Sequence, residues 1–315
     1  MKILVTGGAG FIGSHIVDAH IEQGDEVAVV DNLSSGRTEN LHPKAQFYKT
    51  DIGSTEIDGV FKSFRPDVVI HQAAQKDVGR SVDDPAFDAR VNILGTINIL
   101  QNCVKYRAKK IIFASTGGAI YGEQETFPAD ETHPLNPVSP YGISKLSAEK
   151  YLIYYKLNYG LDYVSLRYSN VYGPRQDPFG EAGVIAIFIS RLLKGGQPII
   201  NGDGTQTRDF IYVGDVVKAN MQASSAIKSG AYNIGTGVET DINTIFMMLT
   251  EITGIGSKEN HGPSKSGEQK RSVISYALAK DVLGWKPGIS LEQGLRQTVE
   301  YFKKLIAHSS PQGSS

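Results

Sequence analysis

The stretch Lys2-Ile3-Leu4-Val5-Thr6-Gly7-Gly8-Ala9-Gly10-Phe11-Ile12-Gly13 decides how the rest of the chain is read. Its apolar first part has the texture of a buried strand, and an amphipathic pattern runs from Phe11 to Gln23. Between them, Gly7, Gly10 and Gly13 form a Gly-x-x-Gly-x-x-Gly series. Glycines there let the backbone turn tightly and approach a pyrophosphate, while the helix start offers N–H groups and the positive end of its dipole. A glycine series alone is a weak signal. With a strand before it, a helix after it and an acid ending the next strand, it reads as a dinucleotide site. That acid is Asp31. A carboxylate there accepts both adenosine ribose hydroxyls and repels a 2′-phosphate, so NAD is expected over NADP; Arg37 is the one feature that pulls the other way.

Outward from this loop, strands are expected at Lys2–Thr6, Glu26–Asp31, Gln46–Thr50, Asp67–His71 and Lys110–Ser115, with helices such as Phe11–Gln23 and Asn92–Tyr106 between them. Such alternation implies parallel strands joined by right-handed crossovers. The runs Ile3-Leu4-Val5, Val68-Val69-Ile70 and Ile111-Ile112-Phe113 suit a sheet covered on both faces. After Tyr172 the texture changes. Gly173-Pro174-Arg175 and Gly202-Asp203-Gly204 punctuate shorter elements, Gly254–Gly267 reads as a long polar loop, and Ser290–Lys304 as a closing helix. The expected fold is α/β: a Rossmann-type doubly wound parallel sheet over 1–172 and roughly 206–224, a smaller C-terminal substrate-binding α/β lobe from 173–205 and 225–305, and a flexible tail over 306–315.

Composition narrows the partners. With 315 residues, 40% of them hydrophobic, the chain can build a proper core, and its net charge of −1 offers no footprint for nucleic acid. The single cysteine, Cys103, makes no internal disulfide and fits a reducing cytoplasm. The apolar run at Ile3–Val5 is too short for a secretory signal, and no stretch approaches the roughly 20 apolar residues of a membrane span. Seven histidines are scattered without metal-ligand spacing, so no metal is expected.

Further residues collect around the same pocket. Asp51-Ile52 follows the third strand, where the carboxylate either reaches the adenine amino group or is an ordinary loop aspartate. His71-Gln72-Ala73-Ala74-Gln75-Lys76 ends the fourth; its alanines permit close cofactor approach and Lys76 reaches a phosphate. Pro140 suits the first turn of a helix, and a spacing of four then puts Tyr141 and Lys145 on one face. A free tyrosine titrates near 10. An ammonium and a cationic nicotinamide beside it favour the phenolate, which can take a proton from a sugar hydroxyl while hydride leaves the same carbon.

Together these residues resemble the extended short-chain dehydrogenase/reductases, and within them the 4-epimerases of UDP-glucose and UDP-galactose. The likeness runs through Thr6–Gly13, Asp31-Asn32, His71–Gln75, Ala114–Gly122, Tyr141–Lys145, Arg167–Pro174, Arg208–Asp215 and Leu283–Pro287. It implies a tightly held NAD, a transient 4-keto sugar, a cytoplasmic enzyme of carbohydrate metabolism and a helix-pair homodimer. By position, it places cofactor contacts on Gly7, Gly10, Phe11, Ile12, Gly13, Asp31, Asn32, Ser35, Gly36, Asp51, Ile52, Gln72, Ala73, Ala74, Lys76 and Asn92, beside Tyr141 and Lys145. Tyr141 then looks like the base and Lys145 like the residue that tunes it and holds the nicotinamide ribose. Asn92 resembles an asparagine near the catalytic helix, Asn170 one that contacts the diphosphate, and Arg208 the diphosphate clamp, with a surface ion pair to Asp209 as its plainer reading.

Two departures matter. Where the family carries a catalytic Ser or Thr, four residues before Tyr121, this chain has Gly117, so Thr116 is taken as the hydroxyl that meets substrate. Gly118-Ala119 lacks the acidic pair a 4,6-dehydratase needs. Lys265-Ser266-Gly267-Glu268 replaces a family Arg-x-Gly-Asp, leaving Lys265 and Glu268 as substrate contacts, and Ser272 falls where a bulky gate would exclude N-acetyl sugars. The expected activity is 4-epimerisation of a UDP-hexose, the N-acetyl forms included. A UDP-glucuronate epimerase or decarboxylase is the alternative of the same class, and a non-catalytic NAD-binding regulator or scaffold the alternative of another; an RNA-binding relative of the fold is disfavoured by the missing basic stripe.

Overall fold

The computed structural model describes residues 1–179, 183–264 and 269–309. The chain opens with β1 (Lys2–Thr6), α1 (Phe11–Glu22), β2 (Glu26–Val30), β3 (Gln46–Tyr48), α2 (Ile57–Phe64) and β4 (Val68–His71). Two short helices, α3 (Val78–Asp83) and α4 (Pro85–Ala89), lead through a π-helical turn (Arg90–Gly95) into α5 (Thr96–Lys105) and β5 (Lys110–Thr116). Then come α6 (Pro140–Tyr159), β6 (Asp162–Tyr168), β7 (Asn170–Tyr172), α7 (Val184–Leu193), β8 (Ile200–Asn201), β9 (Thr207–Arg208), β10 (Phe210–Tyr212) and α8 (Val213–Ser225). The chain closes with β11 (Gly230–Ile234), β12 (Thr240–Asp241), α9 (Ile242–Thr253), β13 (His261–Gly262), α10 (Ala277–Leu283) and α11 (Leu291–Ser309).

Seven strands pair in the order β11-β6-β5-β4-β1-β2-β3, all parallel. Alternation in β1 splits the core: Ile3 and Val5 pack on one side with α1 and α8, Leu4 on the other with α2, α5 and α6. The sheet is therefore doubly wound, as the continuous apolar runs implied. Strand order reverses between β1 and β4, and a crevice opens there at the carboxyl ends of the strands. A third apolar cluster, from α7, α9 and α11 with Tyr172 and Phe210, forms the smaller lobe.

Four expectations are corrected. Residues 225–305 are not all lobe: β11 completes the large sheet beside β6, and Ala279 and Trp285 join its core with Tyr232, because the apolar pattern of this segment matches the open sheet edge. The polar stretch after Gly254 contains β13, a two-residue pairing with β8 too short to show in sequence. The closing helix runs on to Ser309 rather than giving way to a tail at 306, since no helix breaker precedes Pro311. The helix expected over Asn92–Tyr106 begins as a π turn, which rotates Asn92 inward. Among the described residues, no helix is long and apolar enough to cross a membrane.

Candidate active site

The glycine loop is built by sterics. Gly7 has φ +70°, and a Cβ on it would lie 2.7 Å from Ala73 N; one on Gly13 would lie 2.2 Å from Gly7 O. The turn therefore presses α1 against the ends of β1 and β4 as only glycines allow. The start of α1 carries neither a side-chain cap nor an acid in its first turn, so its N–H groups are left for an anion. Asp31 closes the other side of the loop: its oxygens accept from Ala9 N (3.0 Å) and Leu33 N (2.8 Å). Arg37, which also lines the cleft, is paired with Asp177 at 3.0 Å.

The cleft above this floor brings together Gly7, Gly10, Phe11, Ile12, Gly13, Asp31, Asn32, Ser35, Asp51, Ile52, Gln72, Ala73, Ala74, Lys76, Tyr141 and Lys145. Gly36 stands behind the wall; a Cβ there would meet the Asp31 carboxylate at 2.8 Å. Asn32 donates to Asp51 Oδ2 at 2.7 Å, joining two strand ends at the adenosine end of the expected ligand. The segment Gly173–Phe179 reaches back over the cleft: Pro174 O bonds His15 Nε2 (2.9 Å), and Arg175 lies 2.8 Å from Asp18. Arg175 Nη1 makes no aligned hydrogen bond in that pair, so it is an ion pair by proximity.

At the other end stands α6, whose Ser139 side chain caps Gly142 N and whose Pro140 occupies the first turn. Lys145 is 3% exposed, donates to Ala114 O at 2.9 Å and sits 5.8 Å from the Tyr141 ring centre. Burial brings its ammonium down to about 8, against the pull of the Asp88 and Glu149 carboxylates. Asn92 does not reach the cleft. It is 2% exposed and exchanges hydrogen bonds with the Gln75 backbone (2.9 and 2.8 Å), so it braces the strand end.

Gly117 has a physical reason. A Cβ there would sit 2.5 Å from Ile274 Cδ1, so a Ser or Thr side chain is accommodated only if the tip of Ile274 moves. Thr116, at the end of β5, accepts from Ala119 N at 3.2 Å and shapes the turn that follows. The hydroxyl in the cleft wall belongs to its neighbour: Ser115 is 4% exposed and its Oγ has no hydrogen-bond partner. Sequence reading passed over Ser115, although its place near the end of a central strand was a usable signal.

A second cavity of about 800 Å³ continues from Gly118, Ala119 and Ser139 toward the lobe, and Asn170, Gln206, Arg208 and Gln269 supply polar groups to its largely apolar wall. Arg208 enters it with Nη1 donating to Thr207 O at 2.8 Å. Asp209 faces the other way: burial raises its carboxyl, which accepts from Thr236 and Gly237. Ser272 is buried against β9, where its carbonyl accepts from Asp209 N, and lines neither space, so it is no gate in this arrangement. Lys265 and Glu268 lie outside the described residues.

The NAD dependent epimerase/dehydratase family model matches residues 3–235, which hold every residue lining the glycine cleft and, apart from Lys2, all of β1 to β11. The chain belongs to that family. Its cofactor is accordingly NAD, and the residues present fit it: a glycine floor that a Cβ would fill, and an orphaned hydroxyl, Ser115 Oγ, in the cleft wall. A crystal structure of UDP-glucose 4-epimerase with UDP-glucose from Thermotoga maritima is 52% identical, covering 97% of this chain and 100% of that one, with a TM-score of 0.96. The Thermus thermophilus UDP-glucose 4-epimerase complex with NAD is 46% identical, covering 96% and 99%, with a TM-score of 0.92. At 38% identity, the UDP-N-acetylglucosamine 4-epimerase of Methanobrevibacter ruminantium, in complex with UDP-N-acetylmuramic acid, covers 96% and 98% with a TM-score of 0.92.

Proposed function

We propose that this family member interconverts UDP-glucose and UDP-galactose by inverting carbon 4 of the sugar. The observation that carries the reading is the place of Tyr141 and Lys145: on one face of α6, in the wall of the dinucleotide cleft, where the cavity lined by Asn170 and Arg208 begins. NAD, when bound, supplies the hydride acceptor and donor. Tyr141 Oη takes the proton of the sugar 4-hydroxyl and later returns it to O4, once the 4-keto sugar has turned the opposite face of C4 toward the cofactor. The Lys145 ammonium, 5.8 Å from the Tyr141 ring centre, favours the phenolate form. Arg208 and Asn170 hold the diphosphate, a guanidinium fork matching phosphate oxygens. Ser115 and Thr116 supply the hydroxyls nearest the reacting end.

Two copies pair through α6, whose Ile143 (51% exposed), Tyr154 (48%) and Leu157 (78%) leave apolar surface open. The fully buried thiol of Cys103, held protonated by burial, suits the cytoplasm.

The test incubates pure protein, without added cofactor, with UDP-glucose, UDP-galactose, their N-acetyl forms and UDP-glucuronate. Isomers without net NADH support the reading. Carbon dioxide from UDP-glucuronate would replace it with decarboxylation, and no reaction with any sugar would favour a scaffold. Tyr141→Phe should retain bound NAD and lose about 10²- to 10⁴-fold in kcat.

A further inference from the structure

Behind the catalytic pair, the molecule buries a carboxylate that the proposed reaction leaves without a task. Asp88, in α4, is 0% exposed. Its Oδ2 accepts from Ser144 Oγ at 2.5 Å, and its Oδ1 from Asn92 Nδ2 at 2.9 Å and Gln75 Nε2 at 3.1 Å. All three donors are neutral. A buried charge held only by neutral groups is costly unless an opposite charge lies near.

The groups that bear on Lys145 come from several elements. Tyr141 and Glu149 share its helix, Asp88 comes from α4, His71 from β4, and Arg167 reaches Glu149 from β6. Glu149 already has a cation: Arg167 Nη2 is 2.7 Å from its Oε2 and Nε 3.0 Å from its Oε1. His71 is neutral; burial pushes it down to about 3, and its ring bonds Thr6 and Thr96. Asp88 and Lys145 are then the remaining buried charges, on packed helices, each lacking an ion partner of its own among the described residues. Of the two carboxylates that oppose the loss of the Lys145 proton, Asp88 has the larger effect.

Position reinforces charge. Ser144 precedes Lys145 in the chain, so the Asp88–Ser144 bond fixes the turn of α6 that carries the lysine. Gln75 and Asn92 belong to the bracing of the strand end that lines the dinucleotide cleft, and the π turn is what brings Asn92 round to meet them. We propose that Asp88 is the positioning residue of the Tyr141–Lys145 pair: its carboxylate is the counter-charge that keeps Lys145 an ammonium, and its hydrogen bonds tie the catalytic helix to the strand end under the cofactor. The proposal rests on the epimerase reading of that pair.

Asp88→Asn keeps the shape and removes the charge. Lysines carrying ¹³C at Cε, with Lys145→Met assigning the resonance, report the Lys145 titration in the NAD-loaded protein without substrate. The midpoint should fall by at least one pH unit in Asp88→Asn and return in Asp88→Glu. With UDP-galactose, kcat at pH 7 should fall at least tenfold while KM stays within twofold. Ser144→Ala, which keeps the charge, should lower kcat less and leave the midpoint in place. An unmoved midpoint in Asp88→Asn overturns the proposal whatever happens to kcat, because a purely structural role would lower rate and melting temperature alone. Where Asn is not tolerated, Asp88→Ser carries the same measurement. A wild-type protein that converts no UDP-sugar would sink the epimerase reading and leave the substrate-free titration to judge Asp88.

Discussion

Replacing Glu149 by Gln should be among the most damaging single changes outside the cleft. The Arg167–Glu149 pair is enclosed, with side chains 5% and 6% exposed. Besides its two bonds to Arg167, the carboxylate accepts from Ser165 Oγ at 2.8 Å. The guanidinium passes the network on to Tyr121 Oη at 3.0 Å, which donates to Asn233 Oδ1 at 2.6 Å. One chain of polar groups thus ties α6 to β6, to the loop after β5 and to β11. The amide would keep one acceptor and leave the guanidinium buried without a counter-charge, a loss of about 3–5 kcal/mol. Unfolding entropy near 2.1 cal/mol/K per residue, taken over 315 residues, converts this to a fall in melting temperature of about 5–8 °C. Near-UV circular dichroism on NAD-loaded protein would read it, with Glu149→Leu/Arg167→Met as the companion. Swapping both charges for apolar groups removes the orphan, so the double variant should be more stable than Glu149→Gln. A fall under about 2 °C, or a double variant worse than the single, would mean that water reaches the guanidinium and that the pair is not the buried tie described.

Two further predictions follow from the site. Gly117→Ser restores the family's hydroxyl but drives it toward Ile274, 2.5 Å from the added Cβ, and should cost about 1–3 kcal/mol in denaturant unfolding; adding Ile274→Val, which removes the clashing methyl, should recover part of it. If Gly117→Ser is neutral, the packing argument for the glycine fails. Asp18→Ala releases Arg175 and loosens the Gly173–Phe179 segment over the cleft without altering a residue that lines it. Since a part-exposed pair is worth at most about 1 kcal/mol, bound NAD should leave up to about fivefold faster, and high salt should produce the same effect in wild type. Stopped-flow displacement by an NAD analogue measures this, and equal off-rates at low salt would show that the segment does not retain the dinucleotide.

What could be read from the sequence was what local physics fixes. The glycine loop was legible because its cause is backbone sterics within a few residues, and the Gly7 and Gly13 contacts are the ones such a turn demands. Tyr141 and Lys145 were legible because helical spacing alone sets them on one face. Residues that depend on distant partners were not. Asp88 precedes an amphipathic helix and carries a charge, which on pattern alone reads as a solvated position; its burial comes from Ser144, 56 residues later. Asn92 was assigned to the cofactor by its resemblance to a family asparagine, and its bonds to Gln75 and Asp88, which tie it to the strand end, could not be read from the motif. Counting back from Tyr121 led to Gly117 and from there to its neighbour Thr116, whereas Ser115, whose Oγ lies unpaired in the cleft wall, was passed over. These misses share one cause. A motif names the groups that touch a ligand, whereas the charges and bonds that prepare those groups come from whichever segments the sheet happens to pack behind them. In this family member the reactive face is thus largely written in short motifs, and its support in three separate stretches, around Gln75, Asp88–Asn92 and Ser144, that acquire meaning only once α4 is laid against α6.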